Sequence, residues 1–385
     1  MSTAGPPQGA KVPLGGSDAH AVSKRGGSFP AGPSQGETRP PRGTATRAAA
    51  ERGGKITRRP VHGVLLLDKP LGWSSNDALQ KVKWLLRAEK AGHTGTLDPL
   101  ATGVLPLCFG AATKFSQLQL DADKTYEAVA RLGVKTSTGD TEGEVIEERP
   151  VNVSEEDIRN VLPQFTGVIR QIPPMHSALK KDGRALYDYA RAGIEVERDP
   201  REVTIYELKV ALAPVDSAQP AINMIVRCSK GTYIRTLGED IGQALGCGAS
   251  LSALRRVETG GFHLSQCVTL QALEAMTEEE RLRCLMPVES LLREHALVTL
   301  DVDNAGRFLS GVRRRGDWPD NGQVVVYGPS TGSGQAPRAL LGTAHVKAGE
   351  LIPGRLLSPV EIEQILGGCG PERSVPGATM CSSAQ

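Results

Sequence analysis

The stretch Gly92-His93-Thr94-Gly95-Thr96-Leu97-Asp98-Pro99-Leu100-Ala101-Thr102-Gly103-Val104-Leu105-Pro106 carries the strongest local signal in this chain. Three glycines and two prolines in fifteen residues predict a bent backbone, with its polar groups on a loop rather than on a helix face. Its central carboxylate, Asp98, lies between Leu97 and Pro99. Such a carboxylate either accepts backbone N–H bonds in an Asx turn or pairs with a cation in a desolvated site. On composition alone the Asx turn is favoured.

A second segment supplies a candidate cation for Asp98. The run Ser229-Lys230-Gly231-Thr232-Tyr233-Ile234-Arg235-Thr236-Leu237 predicts a strand, a glycine turn and the start of a helix. A helix N-terminus suits a phosphate, and Lys230 adds a point charge there. Arg235, in the first helical turn, can project the same way and pair bidentately with a carboxylate. A solvated Arg235 on a capped helix fits the local pattern equally well.

Two further positions could contact a nucleic acid. Tyr126 is placed near the start of a strand, where its ring either protrudes for stacking or packs within the sheet. The segment Leu254-Arg255-Arg256 either presents a basic pair to a phosphate backbone or is a solvated charge run. The bland alternative is the commoner one at both positions.

The composition excludes several classes of protein. With 385 residues, 39% hydrophobic and 23% charged, the chain predicts two or three globular domains. No apolar run reaches the ~18 residues of a membrane span, and the first residues lack the apolar core of a signal peptide. The seven cysteines are never spaced C-x-x-C, and the histidines are dispersed, so we predict free thiols and no metal site. Phosphate-loop, dinucleotide and serine-hydrolase motifs are absent from the sequence, and no cofactor is predicted.

Charge and texture divide the chain into four parts. Residues 1–60 hold ten basic and three acidic residues, a net charge of +7, whereas the whole chain carries +2, so residues 61–385 carry −5. Residues 1–60 are rich in Gly and Pro and predict a disordered basic tail. Residues 61–296 read as one domain. Residues 297–366 read as a small β-barrel with short strands at 298–300, 323–327, 339–341 and 343–346 and a long loop at 328–337, and residues 367–385 as a flexible tail. Because the body is acidic in total, any RNA-binding face on it must be a local basic patch.

Periodicity and caps predict the main elements of the large domain. We expect a buried strand at 64–67, a helix opening at Ser74 or Ser75, an alternating strand at 125–132, and a helix opening at Ser154. A short helix at 185–190, paired strands at 203–212 and 222–228, a helix at 234–245 and short helices at 270–285 follow.

In these motifs the sequence closely resembles the TruB family of tRNA pseudouridine synthases. The matching pieces are Gly63-Val-Leu-Leu-Leu-Asp-Lys-Pro70, Gly92 to Gly103, Asp123-Lys-Thr-Tyr126 and Lys230-Gly-Thr-Tyr-Ile-Arg235, in family order over about residues 61–366. The resemblance implies an α/β (α+β) fold with a mixed, largely antiparallel central sheet, plus a C-terminal RNA-binding barrel like a PUA domain. It also implies isomerisation of uridine 55, in the TΨC loop of tRNA, to pseudouridine.

The resemblance assigns roles residue by residue and favours the functional reading of Asp98, Tyr126 and Arg235. Asp98 matches the catalytic aspartate, Tyr126 the tyrosine stacked on the flipped base, and Arg235 the arginine paired with the aspartate. Tyr233 and Leu254 match residues that line the uracil pocket, and His93 matches a histidine that contacts the T loop. Lys230, Arg255, Arg256 and Arg313 to Arg315 are candidates for phosphate contacts.

The resemblance implies a cytoplasmic enzyme that acts on the T stem-loop of tRNA. It implies no cofactor, no metal, no membrane and no required protein partner. Two other classes stay open from the sequence: a guide-RNA-dependent pseudouridine synthase, which shares similar motifs, and a non-catalytic tRNA-folding module, which needs only the binding residues.

Overall fold

The computed structural model describes residues 57–213, 219–329 and 338–367. The predicted tails therefore lie outside the described residues, except for residues 57–60 and 367, as does most of the predicted loop at 328–337. Ordered contacts begin earlier than the predicted boundary at residue 61: Arg59 forms a bridge with Ala88 and an ion pair with Glu278 at 2.8 Å.

Across the described residues the chain forms nineteen strands, eight α-helices and five short 3-10 helices. The strands are β1 (Gly63–Lys69), β2 (Ala91–His93), β3 (Ala101–Phe109), β4 (Lys124–Leu132), β5 (Val134–Thr136), β6 (Val145–Glu148), β7 (Gly167–Gln171), β8 (Lys180–Lys181), β9 (Arg184–Ala185), β10 (Arg201–Leu212), β11 (Ala221–Cys228), β12 (Ala249–Thr259), β13 (Phe262–His263), β14 (Val268–Thr269), β15 (Ala296–Thr299), β16 (Arg314–Arg315), β17 (Asn321–Gly328), β18 (Ala339–Lys347) and β19 (Glu350–Leu356). The α-helices are α1 (Ser75–Leu85), α2 (Glu155–Val161), α3 (Leu186–Arg191), α4 (Ile234–Ala244), α5 (Leu270–Ala275), α6 (Glu278–Arg283), α7 (Val302–Leu309) and α8 (Pro359–Gly367). Short 3-10 helices occupy Gly110–Lys114, Ser116–Gln119, Leu162–Phe165, Leu264–Gln266 and Val288–Leu292.

The large sheet is mixed and mostly antiparallel, as predicted. Its order is β14-β1-β3-β12-β4-β11-β10-β7, with β13 added to β12 and β2 added to β3. Only the pairs β1–β14 and β3–β12 are parallel among its strands. The predicted pairing of β10 with β11 is confirmed and runs in register from Glu207 opposite Arg227 to Leu212 opposite Ile222.

A side-chain cap positions helix α1, and a close backbone contact at a glycine positions helix α4. Ser74 is the N-cap of α1, and its Oγ accepts the N–H of Asp77 at 3.1 Å. Helix α4 lies against β12 and β4. At Gly242 a Cβ atom would lie 2.4 Å from the backbone nitrogen of Ala249, so only glycine allows α4 to come this close to the chain at the start of β12.

A smaller five-stranded sheet follows, in the order β15-β17-β18-β19-β16, and is consistent with the predicted PUA-like barrel. The separate strands predicted at 339–341 and 343–346 are wrong: both belong to β18. Gly342 causes the apparent break, because its φ is +149° and a Cβ there would lie 2.2 Å from the carbonyl oxygen of Arg355. The register between β18 and β19 shifts at this glycine.

The two sheets share one apolar cluster. Val64, Leu66 and Phe115 from the large domain are buried with residues of the small sheet and its flank, among them Val325 and Leu340. Polar contacts join the same parts: Lys114 pairs with Glu361 of α8 at 2.6 Å, and Nε2 of His62 contacts Oε1 of Gln364 at 3.0 Å. In the described part of the chain, no helix is long and apolar enough to cross a membrane.

Candidate active site

The loop that carries Asp98 joins β2 to β3, and several anchors hold it. Oγ of Ser75, the first residue of α1, accepts the N–H of Leu97 at 2.8 Å and donates to its carbonyl oxygen at 2.9 Å. The buried amine of Lys69 donates to the carbonyl oxygens of Pro70, Trp73 and Pro99 at 3.0, 2.5 and 3.4 Å. The residues on both sides of Asp98 are therefore tethered to other elements, which limits how far its carboxylate can move.

A buried arginine forms a further anchor under this loop. Arg256 on β12 is 1% exposed, and it donates to the carbonyl oxygens of Val104 at 2.8 Å and Gly95 at 3.0 Å. The prediction that Arg256 faces a phosphate backbone is therefore wrong, because a central strand takes its side chain beneath the loop. Arg255 is only partly exposed and pairs with Asp68 at 2.7 Å, so its charge is already neutralised in this structure.

Arg235 brings the site together. This buried side chain in the first turn of α4 contacts Oδ2 of Asp98 through Nη2 at 2.9 Å and Oδ2 of Asp140 through Nη1 at 3.4 Å. Nη1 also donates to the carbonyl oxygen of Thr138 at 3.0 Å, and Nη2 to that of His176 at 2.7 Å. The Asp98–Arg235 contact agrees with the sequence prediction. The predicted bidentate geometry is wrong, since the guanidinium is shared between two carboxylates.

The two carboxylates differ in access to solvent. The side chain of Asp98 is 42% exposed, whereas that of Asp140 is 4% exposed. Burial raises the pKa of Asp98 above its ordinary value, the Arg235 guanidinium opposes this rise, and the charge of Asp140 adds to it. Asp98 is thus the more accessible of the two carboxylates, and Arg235 favours its ionised form.

Asp140 is a site residue that the sequence analysis missed. Its Oδ1 accepts the hydroxyl of Thr138 at 2.6 Å and the N–H of Glu142 at 3.1 Å, which fixes the carboxylate under Arg235. The available signal was the turn Thr138-Gly139-Asp140, in which Gly139 has a φ of +75°. Nothing in that turn indicates a partner almost a hundred residues away.

Tyr126 and Leu254 lie on two neighbouring strands of the large sheet. Tyr126 on β4 is 8% exposed and Leu254 on β12 is 9% exposed, and both belong to the main core cluster. Tyr126 therefore packs inward and does not protrude. Burial raises the pKa of its hydroxyl, and the neighbouring Arg256 opposes that rise.

Tyr233 is half-buried at the N-cap position of α4, immediately before the turn that holds Arg235. Burial raises the pKa of its hydroxyl, and the negative charge of Asp98 contributes. The charge of Asp98 also contributes to the raised pKa of Tyr126.

Among the described side chains, the remaining predicted residues form no ion pair with Asp98, and three of them pair with other carboxylates. His93 ends β2 with its Nδ1 buried and without a hydrogen-bond partner among the described residues, and burial lowers the pKa of its ring. Lys230 is exposed and pairs with Asp121 at 2.9 Å. Arg313 and Arg315 are exposed beside Glu350 on the small sheet, at 3.5 and 3.0 Å. In the part of the chain that the structure describes, no group of three or more His, Cys, Asp or Glu side chains is arranged to hold a metal ion.

Known proteins match most of this chain in sequence. A model described as "TruB family pseudouridylate synthase (N terminal domain)" matches residues 83–234, and one described as "tRNA pseudouridylate synthase B C-terminal domain" matches residues 235–293. The chain is 64% identical over 312 residues to the tRNA pseudouridine synthase B of Verminephrobacter eiseniae, covering 80% of this chain and 92% of that protein. It is 58% identical over 302 residues to the protein of the same name from Ralstonia nicotianae, covering 78% and 95%.

Solved structures with a similar fold include a chain of a Cbf5-Nop10-Gar1 complex. The TM-score is 0.56 with 25% sequence identity, and the match covers 80% of this chain and 87% of that chain. A chain of the archaeal box H/ACA sRNP Nop10-Cbf5 complex has a TM-score of 0.56 at 24% identity, covering 80% and 91%.

Proposed function

This chain belongs to the TruB family of pseudouridylate synthases, and from that membership we propose that it isomerises the uridine at position 55, in the TΨC loop of tRNA. Conversion of uridine to pseudouridine in tRNA is the activity named for its close relatives. The observation that carries the proposal is the partly exposed carboxylate of Asp98, held against the buried guanidinium of Arg235 in a tethered loop.

The chemistry requires a nucleotide that has left its stack. The C1′–N1 bond breaks, the uracil turns, a C1′–C5 bond forms, and the proton on C5 is lost while N1 gains one, so the reaction is redox neutral. Enzymes that act on a base extrude it into a pocket at a cost of about a few kcal/mol, which stacking and backbone contacts offset. We assign Asp98 to the reacting sugar, where its ionised form acts as nucleophile or base.

The other residues support that carboxylate and the base in this proposal. Arg235 keeps Asp98 ionised, because a cation at 2.9 Å stabilises the charged form. Tyr126 lies against the flipped uracil, and Tyr233 and Leu254 complete the pocket wall. His93 contacts the T loop. Burial lowers the pKa of its ring, and the neutral ring can both donate and accept a hydrogen bond there. Lys230 contributes to phosphate contacts once it leaves Asp121.

We further propose the division of labour along the chain. The catalytic domain ends at residue 296 and begins before residue 61, because Arg59 already contacts Ala88 and Glu278. Residues 297–366 form a PUA-like RNA-binding domain with Arg313 and Arg315 on its exposed surface. The protein is proposed to act in the cytoplasm without a protein partner.

Turnover by the isolated full-length chain on unmodified tRNA transcript, with mapping of the product position, tests this function. Pseudouridine at position 55 of the TΨC loop is the expected result. A requirement for an added guide RNA would indicate the guide-dependent class, and binding without turnover would indicate a tRNA-folding module.

A further inference from the structure

Helix α4, which carries Arg235, starts without a side-chain cap of its own. Tyr233 occupies the N-cap position and makes no side-chain cap hydrogen bond. The first backbone groups of a helix lack intrahelical partners, so an uncapped start is poorly fixed unless another element holds it. The first turn of α4 also carries Arg235 of the proposed active site, so the position of the helix start also determines where the Arg235 guanidinium lies.

Gln171, the last residue of the edge strand β7, holds this helix start from outside. Its Oε1 accepts the backbone N–H of Tyr233 at 3.1 Å, and its Nε2 donates to the carbonyl oxygen of Tyr233 at 3.3 Å. One side-chain amide thus binds both backbone groups of one residue, as a neighbouring strand would. Gln171 is 2% exposed, so water cannot replace these two bonds in place.

The segment that begins at Gln171 contacts the helix a second time. Five residues later, the carbonyl oxygen of His176 accepts Nη2 of Arg235 at 2.7 Å. That same Nη2 contacts Oδ2 of Asp98 at 2.9 Å. The end of β7 and the loop after it therefore contact both the backbone of Tyr233, which precedes Arg235, and the Nη2 atom of Arg235 that contacts Asp98.

We propose that Gln171 is a positioning residue for the reaction: by fixing Tyr233 at the start of α4, it sets the direction of the Arg235 guanidinium towards Asp98. This inference rests on the proposed function, because it needs Asp98 to be the catalytic carboxylate. An amide suits the task, since it offers a donor and an acceptor in one plane to a backbone N–H and C=O. A displacement of about 1 Å in a catalytic group can lower a rate roughly 100-fold.

The test compares Gln171→Met with Gln364→Met, a matched control. Both changes remove a glutamine amide that is hydrogen-bonded to a residue distant in sequence. Gln364, however, lies in α8 of the C-terminal part and contacts His62, away from Arg235. We expect Gln171→Met to lower the single-turnover rate constant on unmodified tRNA by roughly 10- to 100-fold, with the Kd for tRNA within about threefold of wild type. Gln364→Met should keep the wild-type rate. Equal rates in the two variants, measured below the melting temperature of each, would overturn the inference.

A double-mutant cycle separates positioning from general stability. If Gln171 acts through Arg235, Gln171→Met should have little further effect once Arg235→Lys has removed the shared guanidinium geometry. Rate losses that multiply within about twofold would show independent roles and would overturn the inference.

Asp98→Asn, assayed in parallel, distinguishes the two levels of the argument. Turnover by Asp98→Asn would remove the proposed active site and the role of Gln171 with it. An inactive Asp98→Asn beside a fully active Gln171→Met would leave the function standing and overturn the positioning role alone.

Discussion

Replacement of Arg235 by methionine should expose how the two carboxylates of the site are balanced. The change leaves Asp140 as an unpaired carboxylate that is 4% exposed, and removing one partner of a buried pair typically costs about 3–5 kcal/mol. Asp98, at 42% exposure, can hydrate and adds about 1 kcal/mol or less. The carbonyl oxygens of Thr138 and His176 each lose a donor, at about 1 kcal/mol apiece. We therefore expect Arg235→Met to lower the free energy of unfolding by about 5–8 kcal/mol, mostly through Asp140.

The sharper expectation concerns the sign of a second change. In the wild-type background, Asp140→Asn removes a partner of Arg235 and should destabilise the protein. In the Arg235→Met background the same change neutralises the stranded charge and should recover about 2–3 kcal/mol. Asp98→Asn is the matched control, because its exposed carboxylate should shift stability by about 1 kcal/mol or less in the Arg235→Met background.

Urea denaturation of the four variants in this cycle, with wild type alongside, measures these differences. If Asp140→Asn destabilises the protein in both backgrounds, the unpaired Asp140 charge is not the main cost, and the reasoning fails. No variant that carries Arg235→Met should regain turnover, since none of them restores a cation beside Asp98.

Three other predictions concern a buried lysine, an aromatic ring and the N-terminal tail. Burial lowers the pKa of Lys69 from 10.5 to about 8, so its charged form destabilises the folded state below that pH, and this cost fades as the pH rises towards 10.5. The stability of wild type minus that of Lys69→Met should therefore rise by about 2 kcal/mol between about pH 7 and 9.5, and a flat or falling difference in urea titrations would contradict the burial argument. Tyr126→Phe keeps the stacking ring, worth about 1–3 kcal/mol, but it should slow single-turnover chemistry while RNA binding stays normal if the hydroxyl helps to remove the C5 proton. Tyr126→Leu loses the aromatic ring and should also weaken RNA binding. Near-wild-type chemistry in Tyr126→Phe would contradict the role of the hydroxyl and leave stacking as the only role of Tyr126. Deletion of residues 1–56, which spares the contacts of Arg59, should flatten the salt dependence of tRNA binding without moving the modified position, and a moved position would show that the tail selects the site.

Elements with an intact period and a cap were predictable from the sequence. Helix α1 begins next to its predicted serine cap, and the capping box of Ser154 with Asp157 opens α2. Strand β4 alternates buried and more exposed residues along its length, as its sequence pattern indicates. In each case the local signal and the tertiary environment agree, which is why local reasoning sufficed.

The central strand β12 escaped prediction for a physical reason. Its pairing with β4 shifts register between Leu251 and Ala253 and again between Arg256 and Glu258, so the period of two is broken twice within eleven residues. The charge of Arg256 also makes the segment resemble a solvent-exposed one, although its side chain is buried. Arg256 is buried because it donates to the carbonyl oxygens of Val104 and Gly95. Both partners are distant in sequence, so the local sequence around Arg256 does not indicate them.

The site was predictable only where one motif contains the chemistry. Asp98 and Arg235 stand in dense motifs, whereas Asp140 and Gln171 are single polar residues in a turn and at a strand end. Their roles arise because the fold brings β7, the turn at 138–140 and α4 to one point. Sequence spacing does not carry that information.

The catalytic assignment of Asp98 is tested most directly by Asp98→Asn, measured for turnover and for tRNA binding on the same preparation. The substitution keeps the shape of the side chain and removes the charge that Arg235 holds at 2.9 Å. We predict no pseudouridine above background, with the Kd for tRNA within about tenfold of wild type, or ~1.4 kcal/mol. Robust pseudouridine formation by this variant would contradict the account.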